Sequence, residues 1–420
     1  MRVVRRASGV ALVAAVLCLA AGGPAQATPP IPDLSKQYWF GNYRISEIWA
    51  TGATGQGMIV AVLDTGVQAS TAELKGVVLP GTDLAGGDGR TDTDRFDGHG
   101  TSMARRIAGQ GGGKYDLTGI APSAKILPVV VHNEIHRSAD TARAESQGIR
   151  YAVDHDARII NLSQGTDGTG EPNQCPTEVA AAVRYAIGKG AVIVASAGNE
   201  ARKGNPPFYP ATCAGVLSVG AVDGSKRPWP DSERQTYVDV AAPGVNMVDV
   251  NFAGQLGFSE GTSDSAALVS GAVALVWSKF PKLTNRQVVA RLLATVTEDA
   301  STPGKDLATG YGIVRPLQAI TTDVPANAPN PVFDEVAATA QSSPTPSTNT
   351  SQPATGETGP VGPTTAPKSN SGSNTLPIVL GAGGVLLLIV IVALVLRSQS
   401  RRRTGPGTMV PPPGPLPPYR

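Results

Sequence analysis

The chain has 420 residues, enough for one large domain or two ordinary ones, with 16% charged residues and a formal net charge of +2. That balance excludes binding built on nucleic-acid phosphates or on an anionic surface. Gly and Pro are abundant, at 49 and 35 residues, and much of the Pro lies late in the chain, confining the fold to roughly the first three-quarters.

Arg2, Arg5 and Arg6 precede an apolar run at 10–21, and Ala25-Gln26-Ala27 has the small-x-small form of a signal-peptidase site. Residues 1–27 therefore read as an export signal, since the run is too short for a membrane anchor. Cys18 follows Leu17, where a lipobox needs a small residue. Removal of the signal leaves Cys175 and Cys213. Two thiols in an exported domain are expected to form one disulfide, worth about 3–4 kcal/mol by chain-entropy arithmetic, the alternative being two buried free thiols.

Residues 28–49 carry Tyr38, Trp39, Tyr43 and Trp49, an aromatic density that predicts packing on the body. Continuous apolar runs at 58–63, 126–131, 159–162 and 192–195 predict strands of a parallel sheet covered on both faces. Helical stretches at 139–154 and 177–189 lie among them, and this alternation implies right-handed crossovers and an α/β layered fold. Further strands are predicted at 216–222 and 237–241. A run at 268–277, apolar on more than one face, predicts a buried helix ending near Phe280, before Pro281. Thr284-Asn285-Arg286-Gln287 is a capping-box signature for the next helix.

The globular pattern stops near Ile320. Residues 321–375 are dominated by Pro, Thr, Ser, Ala, Asn and Gly and read as an extended linker, because such a composition buries too little surface to offset its ordering entropy. Residues 376–396 are almost wholly aliphatic and long enough to cross a bilayer core. Arg397, Arg401, Arg402 and Arg403 follow, so one transmembrane helix is expected, with 397–420 as a cytoplasmic Pro-rich tail and the body outside.

The chain has four histidines. His132, His136 and His155 stand beside polar neighbours and read as solvated. His99 differs, sitting in Asp97-Gly98-His99-Gly100-Thr101 between glycines at the start of a helical stretch. Asp64 closes the first predicted strand, at the end where α/β sheets place functional groups. Ser263, in Gly261-Thr262-Ser263-Asp264, opens the buried helix, where unpaired N–H groups favour negative charge. Taken singly, Asp64 reads equally as a turn cap and Ser263 as a helix cap. Acyl transfer by serine needs a general base and an acid that holds it, and here the three occur in the order Asp, His, Ser.

Asp64-Thr65-Gly66, His99-Gly100-Thr101 and Gly261-Thr262-Ser263 together resemble the signature motifs of the subtilisin-like serine peptidases, over about residues 44–320. Gly119-Ile120-Ala121-Pro122 is a further landmark of that family. The resemblance implies a three-layer subtilisin-like α/β fold over 50–320, with a mostly parallel central sheet and helices on both faces. It implies Asp64, His99 and Ser263 as the catalytic set and Asn199, in Ala195-Ser196-Ala197-Gly198-Asn199, as the oxyanion-hole donor. It also implies substrate-binding edges at Ser163, Gln164 and Gly165 and at Ser196, Ala197 and Gly198, pairing with an extended peptide. Glu200 would stand on the rim of the pocket for the residue preceding the scissile bond and favour a basic side chain there.

No cofactor or metal is expected; the acidic run 83–97 lacks EF-hand spacing and reads as a solvated loop. Two positions depart from the family: Asp264 replaces a bulky apolar residue and Ala267 a proline. A carboxylate so close to a developing oxyanion is expected to slow turnover. Residues 28–49 are too few for the inhibitory prodomain usual in secreted members. With the linker and span, this layout resembles the mycosins, membrane-anchored subtilases of type VII secretion systems, whose N-terminal extension Gln37 and Trp39 match. The layout implies a cell-membrane endopeptidase with its catalytic domain extracellular, processing exported proteins beside the secretion complex. The alternatives are a structural component stabilising that complex, with proteolysis secondary, and an inactive peptide-binding module. The complete catalytic set argues against the last.

Overall fold

In the computed structural model, residues 37–342 are described apart from 95–97, 133–140, 172–173, 252–253 and 298–303. The export signal, His136, most of the expected linker, the aliphatic stretch 376–396 and the tail lie outside the described residues. Among the described residues no helix is long and apolar enough to cross a membrane.

Helices α1 (Trp39–Tyr43) and α2 (Ile45–Ala50) open the described chain, followed by strand β1 (Ile59–Asp64). Next come β2 (Thr82–Asp83), α3 (His99–Ala108), β3 (Lys125–Val130), α4 (Thr141–Asp154) and β4 (Ile159–Leu162). Then follow β5 (Thr166–Asp167), α5 (Thr177–Gly188), β6 (Val192–Ser196), β7 (Phe208–Tyr209), β8 (Leu217–Val222) and β9 (Val240–Pro243). A hairpin of β10 (Met247–Val250) and β11 (Leu256–Ser259) leads into α6 (Thr262–Lys279). The helices α7 (Asn285–Leu293), α8 (Pro316–Thr321) and α9 (Pro331–Ser342) end it.

Seven strands form one sheet in the order β2-β3-β1-β4-β6-β8-β9, and every pairing in it is parallel. The unbroken apolar runs have a simple cause. Val60 and Val62 of β1 enter one core with α3 and α6, while Ala61 and Leu63 enter another with α4 and α5. A strand covered on both faces has no side on which a polar residue meets water. β1 pairs with β3 on one side and β4 on the other, so the strand order reverses there. Ligands of open α/β sheets bind outside the carboxyl ends of the strands at such a point, and Asp64 stands at that end of β1.

Within the stretch 262–277 of α6, every residue but Ser263 is buried. Thr284 caps α7 through both halves of the capping box. Trp39, Tyr43, Ile45 and Ile48 lie in the same core as α6, and Trp49 Nε1 donates to the Ile120 carbonyl at 2.9 Å. Cys175 and Cys213 are joined, with Cα atoms 5.2 Å apart.

Composition predicts an extended linker from residue 321, but the folded body continues through α9. Val332 and Phe333 are buried in the core that holds α6. The Asn330 side chain donates to the Arg286 carbonyl at 2.9 Å and accepts the Phe333 N–H at 3.1 Å. Two apolar anchors and one asparagine suffice to fasten a segment whose average composition is that of a coil.

Candidate active site

Asp64, the last residue of β1, is 0% exposed. Its two carboxylate oxygens lie 2.9 and 3.0 Å from His99 Nδ1. His99 is the first residue of α3, and the helix reaches the strand because Gly100 has no side chain. A Cβ there would strike the Gly66 carbonyl and press on Asp64. Held through Nδ1, the imidazole keeps Nε2 as the nitrogen turned away from Asp64.

A second carboxylate secures this turn. Asp94 accepts from Thr65 Oγ1 at 3.0 Å, from the Thr101 N–H and Oγ1 at 2.9 Å each, and from the Gly98 N–H at 3.3 Å. It is 4% exposed, so the acidic run is not solvated throughout: Asp94 caps α3 beside Asp64. Burial raises its pKa, and the hydrogen bond from the Thr101 backbone opposes that rise.

Ser263 Oγ donates to the Ser163 carbonyl at 2.6 Å, and Ser163 Oγ donates to the Ser263 carbonyl at 2.9 Å. This reciprocal pair ties the end of β4 to the first turn of α6. Asn161 supports it, donating to Ser163 Oγ at 2.9 Å and accepting from Ser270 Oγ at 3.0 Å. Asn199 Oδ1 accepts the Thr262 N–H at 2.9 Å and the Thr262 hydroxyl at 2.8 Å. Its NH2 remains as the donor end, at the mouth of a helix whose first N–H groups favour negative charge.

Ser196 ends β6, and Ala197 and Gly198 follow it. Tyr237 donates its hydroxyl to the Ala197 carbonyl at 2.9 Å. Gly198 has φ +116, and a side chain there would meet Glu233 and Phe208. Glu233 has no signal in the sequence, where Asp231-Ser232-Glu233-Arg234 looks like a polar surface turn. It is buried, accepts the Glu200 N–H at 2.8 Å and donates its own N–H to the Gly198 carbonyl at 3.1 Å. Burial pushes its acid up to about 7. Glu200, expected to charge the rim, pairs with Lys203 at 2.9 Å.

Ser163, Gln164 and Gly165 line, with Asp64 and His99, a cavity of about 230 Å³ that also reaches His132, Thr141 and Glu145. His132 thus faces the cleft and is half-buried, contrary to its reading as a solvated residue. His155 is exposed and stacks on Tyr151 with ring centres 3.7 Å apart. The arrangement supplies a serine hydroxyl, an imidazole held by a buried carboxylate, and donors at a helix mouth, the parts that acyl transfer needs.

The subtilase family pattern matches residues 55–312, more than half of the chain. The chain belongs to the subtilase family. It is a serine protease of that family, and mycosins are among its relatives. Mycosin-1 of Mycolicibacterium smegmatis is 30% identical over 352 residues, covering 71% of this chain and 76% of that protein. Mycosin-3 of Mycobacterium tuberculosis is 32% identical over 328 residues, covering 65% and 69%. Among solved structures, the MycP3 protease from the type VII (ESX-3) secretion system is 32% identical with a TM-score of 0.60, covering 70% of this chain and 90% of that one.

In this subtilase the unusual Asp264 has a partner that the sequence does not announce. It is 2% exposed, ion-paired with Arg106 of α3, and accepts from Ser259 Oγ at 3.0 Å. Arg106 also donates to Asp249 at 2.8 Å. Burial raises the Asp264 pKa and Arg106 pulls it back. The Arg106 contact offsets part of the charge on which the expectation of slowed turnover rests. Ala267 is fully buried in α6, where its small volume fits the core.

Proposed function

We propose that this subtilase is a membrane-anchored, extracytoplasmic serine endopeptidase that processes exported proteins through an acyl-enzyme. The observation that carries the reading is the Asp64 carboxylate set against His99 Nδ1, beside a buried helix that presents Ser263. His99 takes the proton from Ser263 Oγ as the oxygen bonds to a peptide carbonyl carbon. Asn199 and the Ser263 N–H hold the oxyanion that forms. His99 then gives the proton to the departing amine as the C–N bond breaks, and a water, deprotonated by His99 in turn, hydrolyses the ester. Asp64 keeps the imidazole in the required tautomer and stabilises its charged form. Ser163, Gln164 and Gly165, with Ser196, Ala197 and Gly198, offer backbone to an extended substrate strand.

The setting follows from segments outside the described body. An export signal at 1–27, an aliphatic stretch at 376–396 and the arginines after it support a single span with the catalytic domain outside and the tail in the cytoplasm. The mycosin relatives support a place beside a type VII secretion complex, with an exported protein as substrate. A fluorophosphonate probe on the full-length protein is expected to label wild type and to leave Ser263→Ala and His99→Ala unlabelled. Absence of labelling in wild type overturns the peptidase reading. Secretion fully restored by Ser263→Ala in a deletion strain would shift the physiological role to scaffolding.

A further inference from the structure

The cavity beside His99 contains an acid that the chemistry above leaves unused. Glu145, on α4, is 0% exposed, and neither of its carboxylate oxygens has a hydrogen-bond partner. Thr141 Oγ1 and Gln164 Nε2, from residues lining the same cavity, are likewise buried and unpartnered. A buried carboxyl without a partner destabilises a fold, and an apolar side chain would fill the position without that penalty. The cavity, at about 230 Å³, is far larger than the roughly 10–15 Å³ that one water requires. It has room for a side chain.

The other acids at the site each have a partner: Asp64 holds His99, Glu200 pairs with Lys203, and Glu233 accepts the Glu200 N–H through one oxygen. Among the described residues no basic group is set against Glu145, and burial pushes its acid up to about 8. A cation delivered from outside would reverse that, drawing the proton from the carboxyl and forming a charge-assisted hydrogen bond. Thr141 Oγ1 adds an acceptor for the same cation, and Gln164 Nε2 a donor for the carboxylate or for substrate backbone. An apolar side chain in the cavity would leave all three groups unpaired, and sites built this way discriminate strongly.

We propose that Glu145 is a specificity-determining residue, forming with Thr141 and Gln164 a subsite beside His99 that receives a lysine or arginine side chain of the peptide substrate. The proposal rests on the peptidase reading for the identity of the cleft, so its test measures binding apart from turnover. Full-length Ser263→Ala protein is titrated with fluorescein-labelled octapeptides in which each position of an alanine host is, in turn, Lys, Arg, norleucine or Glu.

At one position Lys and Arg should bind about 10- to 100-fold tighter than norleucine, the range expected when a buried acid gains or lacks its partner. Glu145→Gln should bring that ratio near unity without moving preferences elsewhere. Glu145→Leu should reverse it in favour of norleucine while raising the melting temperature, which shows that the fold is intact. Two results overturn the proposal: no position preferring a cation, or a cation preference that survives both Glu145 variants. Fluorophosphonate labelling of wild type is read separately. Its failure would remove the peptidase reading, and the affinity ratios would still decide the role of Glu145.

Discussion

Arg106 and Asp264 stand between the helix that begins with His99 and the helix that presents Ser263, and both are almost wholly buried. Removing one member of a buried pair leaves the other uncompensated, whereas replacing both with apolar groups is often neutral. Asp264→Ala should therefore cost about 3–5 kcal/mol in urea unfolding, and Arg106→Met/Asp264→Met should recover most of it. A single variant as stable as wild type would show that the pair carries little. The role proposed for Asn199 is in the chemistry instead. By analogy with subtilisin, itself a subtilase, Asn199→Ala should lower kcat by about 10²–10³. An unchanged kcat would remove it from the oxyanion site. These residues differ in legibility. Asp64, His99 and Ser263 each sit in a short motif, but the Arg106–Asp264 contact spans more than 150 positions in sequence and has no local pattern to reveal it.

At the scale of elements, the strands were legible because burial on both faces leaves unbroken apolar runs, and α7 because its capping box is local. The β10–β11 hairpin, α9 and the role of α4 were not. Glu145 looks like an ordinary helix charge until it is set beside Gly148, Ile149 and Ala152, which share its buried stripe at helical spacing. The ion network tying α3 to β10 and α6 should show in the pH profile of stability. Burial pushes the Asp249 acid up, but Arg106 and Arg105 outweigh it and hold it at about 2, below its ordinary 3.8. The unfolded chain therefore binds more protons in that interval. Stability from Asp249 is full above about pH 4 and lost as pH falls toward 2; in Asp249→Asn this loss should be absent. Glu145 has the opposite sign. Its folded acid lies at about 8, above the ordinary 4.5, so its contribution is full below about pH 4.5 and declines as pH rises through 8. Urea midpoints across pH 4.5 to 8 should fall less in Glu145→Gln than in wild type.

At the scale of the molecule, one core around α6 draws on segments from both ends of the described chain. Trp39, Ile45 and Ile48 enter it from the start, Val332 and Phe333 from the end. Burying an apolar side chain of that size is worth about 1.5–3 kcal/mol, so a chain ending at 320 should be less stable than one ending at 342 by roughly 3–6 kcal/mol. Equal unfolding midpoints would show that α9 is dispensable. Reduction of Cys175–Cys213 should cost a further 2–5 kcal/mol, roughly what native disulfides of exported domains provide.

The same arrangement sets a clock. Domains assemble as the chain emerges, from the N-terminus onward, and here the packing around the helix that presents Ser263 is closed by a segment some fifty residues beyond that helix. Until Val332 and Phe333 arrive, the scaffold that aims Ser263 is unfinished. A protease built in this order is expected to reach full cutting power only once the chain through Phe333 is available to fold.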